Sequence, residues 1–307
     1  MSDETKCVIT LIGHDDEIPE DVSIRVREFL REISSTNWST KQLSSRCYEF
    51  TFNIKSAEYG NILQKVKSEC LNQTYDLILQ KLIDQKGKKL FVFDMDSTLI
   101  YQEVIELIAS YANIEDKVAE ITERAMNGEL DFNESLRERV LLLKGINSTN
   151  IWKELEQKIE ITNGVKPLTK ALKKLGCYLA VCSGGFIPLA EHIKNELGLD
   201  YAYANTLGVD EENILNGETI GEIVNGDKKA ELLLEIAAKH GIDPKQAVAI
   251  GDGANDLKMM SVAGFGIAWN AKPKVQLEAP SCLNTKSLLD VLYIMGYTQS
   301  EIEDLII

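Results

Sequence analysis

Leu90-Phe91-Val92-Phe93 is an unbroken apolar run, too short for a buried helix and rich in residues that suit a strand covered on both faces. Residues 246–250 repeat the pattern, and shorter versions recur at 177–182, 201–206, 265–268 and 281–283. Between these runs the apolar positions change to helical spacing, over 164–175, 186–197 and 228–240, and again through the last twenty residues. Pro167 lies in the first turn of one such segment, and Gly241 stands just past the end of another. Residues 213–224, with Asn216-Gly217 as turn residues, read as a hairpin beside the sheet. Strands alternating with helices predict an α/β fold with a doubly wound, parallel, Rossmann-like sheet.

Two stretches fall outside that rhythm. Residues 6 to about 84 run strand (7–12), helix (21–33), two strand-like stretches (42–54), helix (57–70) and strand (75–79). This βαββαβ order predicts a small N-terminal α+β, ferredoxin-like module over 1–85. Such a module serves either ligand sensing, as in the small domains attached to amino-acid enzymes, or packing and dimerisation, so a homodimer is an open possibility. Gln85-Lys86-Gly87-Lys88-Lys89 is the polar link after it. The second stretch, 101–163, is acidic and helical. Val104, Ile105, Ile108 and Ala109 form one apolar stripe; Leu136, Val140, Leu141 and Leu143 form another. Inserted directly after the first core strand, it reads as a helical cap, leaving a core of 86–100 plus 164–307.

Composition narrows the function classes. The 307 residues are 44% hydrophobic and 26% charged, with a net charge of −15. Such an acidic chain is poorly suited to a phosphate backbone, so no nucleic-acid partner is expected. No apolar run approaches ~18 residues, and the first residues lack a signal-peptide layout, so a cytoplasmic protein without a membrane partner is expected. Six cysteines without CxxC spacing fit buried thiols in a reducing compartment. His14, His192 and His240 lie away from every motif and read as structural.

The candidate chemistry lies at two strand ends. Asp94 and Asp96, then Ser97-Thr98, follow the first apolar run; Gly251-Asp252-Gly253, then Asn255 and Asp256, follow the 246–250 strand. Acids at the end of a buried strand are costly unless a cation compensates them, and ligands in open α/β sheets sit at that end. Taken alone, either cluster could equally be a turn whose side chains satisfy backbone donors. Residues 94 and 252 are 158 positions apart and can meet only if their strands are near neighbours.

With Asp-x-Asp-x-Thr at 94–98, the segment Val181-Cys182-Ser183-Gly184-Gly185 and a lysine from the Lys228-Lys229 pair, the chain resembles the haloacid-dehalogenase-like phosphotransferases from about residue 88 onward. Within them it is most similar to the phosphoserine phosphatases. The resemblance implies Asp94 as nucleophile, Asp96 as general acid and base, and Mg²⁺ held by Asp94, the Asp96 backbone carbonyl and Asp252, with Asp256 orienting. It further implies a phosphate cradle from Ser183, the Gly184 amide, Asn255 (whose plainer role would be a helix N-cap) and Lys229, preferred over Lys228 by its Lys-small-x-x-Leu spacing. In the cap, Glu103 would meet a substrate ammonium and Arg139 a carboxylate, with Met126 and Phe132 lining the pocket. The expected reaction is hydrolysis of O-phospho-L-serine to serine and phosphate in serine biosynthesis. A different small phosphomonoester, or a ligand sensor with a vestigial core, are the alternatives.

Overall fold

The computed structural model describes residues 3–15, 17–34, 38–70, 73–126 and 129–307, with the Met126 side chain outside that set. The N-terminal part runs β1 (Glu4–Gly13), α1 (Glu20–Ile33), β2 (Ser39–Ser44), β3 (Cys47–Lys55), α2 (Tyr59–Cys70) and β4 (Tyr75–Lys81). Its strands form an antiparallel sheet in the order β2-β3-β1-β4, as a ferredoxin-like βαββαβ unit requires. One face packs on α1 and α2 through Ile9, Leu11, Phe50, Phe52, Leu77 and Leu79. The other face turns Ile12, Leu43, Cys47 and Ile78 onto the C-terminal helices of the larger layer. Polar contacts reinforce this docking: Arg46 pairs with Asp290 at 2.6 Å, and the buried Asp76 accepts from the backbone and side-chain nitrogens of Asn284. The short α3 (Leu82–Gln85) leads out, and Gln85 and Lys88 are buried rather than solvated as the polar link suggested.

The second sheet has seven strands in the order β11-β10-β9-β5-β6-β7-β8. After β5 (Leu90–Phe93) come the cap helices α4 (Val104–Ala112), α5 (Glu115–Met126), α6 (Phe132–Leu141) and α7 (Ser148–Glu156). The chain then runs α8 (Val165–Lys174), β6 (Tyr178–Phe186), α9 (Ile187–Leu197), β7 (Tyr201–Val209), β8 (Leu215–Ile220) and α10 (Gly226–Lys239). It ends with β9 (Ala247–Gly251), α11 (Leu257–Val262), β10 (Phe265–Trp269), α12 (Pro273–Glu278), β11 (Ser281–Leu283), α13 (Val291–Ile294) and α14 (Gln299–Ile306). All neighbours are parallel except β7 and β8. Alternation along the central strands sorts side chains by size. Phe91, Phe93, Val181 and Ile250 face α8, α9, α13 and the cap, while Ala180, Cys182, Ala247 and Ala249 face α10, α11 and α12. Small residues on that second face let the helices approach closely.

Several local expectations shift. The β7–β8 hairpin turns at 210–214, not at Asn216-Gly217: those two residues lie in β8, at a break in the pairing between Leu207 and Val209. Leu141 is 60% exposed, so the second cap stripe consists of Leu136, Val140 and Leu143. Strand β6 continues through Ser183-Gly184-Gly185 to Phe186 instead of turning there. The C-terminal helix is interrupted at Gly296, which has φ +81°.

Gly164 caps α8 with φ +84°, and a Cβ there would come within 2.6 Å of Leu289 N and 2.8 Å of Leu288 N. Gly87 has nearly the same φ, +86°, but open space around it. Replacing each by alanine separates backbone strain from close approach. In urea unfolding, Gly87→Ala is expected to cost about 1 kcal/mol and Gly164→Ala at least twice that.

Candidate active site

Parallel register places the two acid clusters side by side. Phe93 is opposite Ile250 on one side and Val181 on the other. Asp94 therefore leaves the sheet next to Gly251-Asp252 and Cys182-Ser183, and its backbone N–H still donates to Ile250 O at 2.8 Å. Beyond Asp94 the chain coils tightly, with Ser97 in the left-handed region at φ 53°. That coil returns the chain to the cap: Ser97 Oγ donates to Glu103 Oε1 at 2.7 Å, and Asp96 Oδ2 accepts from Val104 N at the start of α4 at 3.2 Å.

Asp94 Oδ1 accepts from Met95 N at 2.8 Å and pairs with Lys229 Nζ at 2.8 Å. Lys229 is completely buried, and its Nζ also lies 2.7 Å from Asp256 Oδ1. Burial opposes its charge, but Asp256 and Asp94 outweigh it and hold the ammonium above its ordinary pKa. Lys228, by contrast, points outward to Glu222 and Glu231. Gly251 leaves room for this arrangement, since a Cβ there would fall 2.2 Å from Asp256 Oδ2.

Asp94, Asp252 and Asp256 each offer a carboxylate oxygen within 4.8 Å of the others. Burial, then Asp94, Asp256 and Glu103, push Asp252 up to about 8. Burial, then Glu103 and Asp94, raise Asp96 well above the carboxylate range, and its buried Oδ1 has no hydrogen-bond partner among the described residues. Lys229 alone cannot balance these acids. An all-oxygen donor set with surplus negative charge fits a hard divalent cation. The Asp96 carboxylate is outside that cluster, so any part it takes in holding the ion falls to its backbone carbonyl.

Asp94, Asp96 and Asp252 line a cavity of about 180 Å³. Ser183, Gly184 and Asn255 face it from the core; Glu103, Phe132 and Arg139 face it from the cap. Burial raises the pKa of Glu103 against the opposing Ser97 bond. Arg139 donates to Ser135 O and Oγ and, among the described residues, forms no ion pair; burial lowers its pKa while Glu103 and Asp96 oppose that. Phe132 packs over Gly184, where a Cβ would meet its ring at 2.8 Å. Met126 ends α5, but its side chain lies outside the described residues. Asn255 sits inside a short helical turn and does not cap α11, whose N-cap position is Asp256.

Three further side chains tie these elements together; Thr98 and Asp256 belong to the motifs described above, whereas Asn205 carries no sequence signal. Thr98 Oγ1 donates to Asp252 Oδ1 at 3.3 Å, within the motif that was recognised. Asp256 serves as the second partner of Lys229. Asn205, buried in the middle of β7, donates to Gly184 O and Gly185 O and accepts from Val224 N, bracing the segment after Ser183.

A family model for haloacid dehalogenase-like hydrolases matches residues 88–264. A phosphoserine phosphatase of Saccharomyces cerevisiae is 48% identical over 97% of this chain and 98% of its own. The chain belongs to the haloacid dehalogenase-like hydrolases, in their phosphoserine phosphatase branch. Among solved structures, a hydrolase of this superfamily from Salmonella enterica serovar Typhi superposes with a TM-score of 0.81 at 26% identity, covering 94% of this chain and 98% of that one. A phospho-aspartyl intermediate analogue of a phosphoserine phosphatase covers 68% of this chain and 99% of its own, with a TM-score of 0.63 and 42% identity. The haloacid dehalogenase-like core is thus shared widely, while the N-terminal sheet is shared with the longer relatives.

A carboxylate whose folded pKa is raised holds a proton that the unfolded chain, titrating near ~3.9, gives up. Folding stability is therefore present at low pH and lost as pH rises through the folded value. For the metal-free protein, Tm should fall between pH 5.5 and 8.5 as Asp252, raised to about 8, ionises. A divalent cation should restore more of Tm at pH 8.5 than at pH 5.5. Calorimetry at the two pH values checks both; a flat metal-free profile contradicts the first.

Proposed function

We propose that the chain hydrolyses O-phospho-L-serine to L-serine and phosphate through an aspartyl-phosphate on Asp94, within serine biosynthesis and in the cytoplasm. The observation that carries the reading is one cavity in which Asp94, Ser183 and Asn255 on the core face Glu103 and Arg139 on the cap, with Lys229 buried behind Asp94. A phosphate end and an amino-acid end are thus served from opposite walls. Relatives that carry the phosphoserine phosphatase name over nearly the whole chain support the same substrate.

Asp94 Oδ1 is held by Met95 N and Lys229, which leaves Oδ2 to attack phosphorus in line. Lys229, the Ser183 hydroxyl, the Gly184 amide and Asn255 receive the phosphoryl oxygens. Asp96, kept protonated by burial and its acidic neighbours, donates to the departing serine oxygen and then takes a proton from the hydrolytic water. Glu103 accepts the substrate ammonium. Arg139, whose guanidinium bonds Ser135 among the described residues, grips the carboxylate in a bidentate contact. Ile105, Phe132 and Leu136 wall off water. Mg²⁺, held by Asp94, Asp252 and the Asp96 carbonyl, would neutralise charge on the phosphoryl group. The domain division is part of the proposal: module 1–85, cap 101–163, and core 86–100 with 164–307.

A phosphomonoester panel with Mg²⁺ tests this. Phosphoserine should be preferred over phosphoethanolamine, phosphothreonine and sugar phosphates, and equal rates would defeat the cap assignment. Asp94→Asn should lower kcat by about 10³-fold or more. Glu103→Ala and Arg139→Ala should each raise KM for phosphoserine by roughly 10- to 100-fold, while a simple aryl phosphate is hydrolysed almost as before.

A further inference from the structure

Discrimination by Glu103 and Arg139 needs the cap shut over the cleft, and the cap is joined to the core at two ends. At the far end, Gly145 N and Ser148 N donate to Leu215 O and Asn213 O, and Leu215 N donates to Ile146 O, tying the α6–α7 turn to the hairpin. At the mouth of the cleft, beside the Phe132 ring that covers Gly184, a pair of neutral amides joins cap and core: Asn225 Nδ2 donates to Asn133 Oδ1 at 3.1 Å. Asn133 is in the first turn of α6, beside Phe132, whose ring covers Gly184.

Asn225 is connected to every other wall of the site. Its Oδ1 caps α10 by accepting from Lys228 N, and its carbonyl accepts from Lys229 N at 2.9 Å. The preceding residue, Val224, bonds Asn205, which braces Gly184. The next residue, Gly226, lies against Asn255, where a Cβ would approach the carbonyl to 2.9 Å.

We propose that Asn225 is a positioning residue that, through Asn133, latches the closed cap to the helix carrying Lys229. This rests on the phosphoserine reading above. An uncharged hydrogen bond suits the task. It adds no charge beside an anionic substrate, and one such bond shifts the closed-to-open balance by only about five- to tenfold, so the cap still opens in each turnover.

Asn225→Ser keeps an N-cap oxygen for α10 but is too short to reach Asn133. Asn133→Ala removes the acceptor from the cap side. Each single variant should raise KM for O-phospho-L-serine about fivefold with kcat within about twofold, and the double variant should be no worse than either. p-Nitrophenyl phosphate, which carries neither ammonium nor carboxylate, should be affected much less. Asn133→Asp, which retains the acceptor oxygen but adds a charge, should recover most of the loss seen in Asn133→Ala, more completely at high ionic strength. An unchanged KM, additive losses, or equal losses on both substrates would overturn the latch, the last pointing to a purely structural role in placing Lys229. If wild type shows no preference for phosphoserine, the substrate assignment fails separately. The latch is then decided by amide exchange in α6, which both variants accelerate if the bond holds the cap and leave unchanged if it does not.

Discussion

A buried ammonium between two carboxylates is the constraint on which the site depends. Removing Lys229 from water is expensive, and only partners on both sides make it tolerable. Asp94 supplies one from β5 and Asp256 the other from the turn after β9, so three segments remote in sequence must converge to within a hydrogen bond. The same charge that stabilises this convergence is offered to an incoming anion. Structure and binding use one group.

The parallel sheet makes the convergence possible. With β5 flanked by β6 and β9, the residues that follow three neighbouring strands emerge at one edge, and the registers align Asp94, Ser183 and Asp252 there. The acids left over exceed what one lysine balances, and burial leaves Asp252 and Asp96 with strongly raised proton affinities. The site is an electrostatically unfinished structure, and completing it is what a divalent ion and a phosphate together can do.

Most of this was legible because the core strands announce themselves. An apolar run ending in acids has few soluble explanations, and of the lysine pair it is Lys229, the one preferred on spacing, that is buried against Asp94 and Asp256, while Lys228 meets Glu222. What could not be read depends on tertiary position. Asn205 and Asn225 are polar residues in unremarkable surroundings whose partners lie on other elements. Asn216-Gly217 carries a turn signal, but extended pairing of β7 absorbs it as a strand irregularity. Leu141 follows the helical period of the cap, yet only the rotation of α6 against its neighbours decides which leucines are covered. Ser183-Gly184-Gly185 has the composition of a turn; in the structure it bulges out of the β6–β7 pairing, and Asn205 holds the Gly184 and Gly185 carbonyls across the bulge.

The four-stranded sheet at the N-terminus is covered on both sides, by its own helices and by the C-terminal part of the core. A solved phosphoserine phosphatase that is covered over 99% of its own length matches 68% of this chain. Here, however, Ile12, Leu43, Cys47 and Ile78 share a continuous apolar interior with Val291, Ile294 and Met295. Cutting the chain at residue 85 would therefore uncover a greasy patch on the catalytic half.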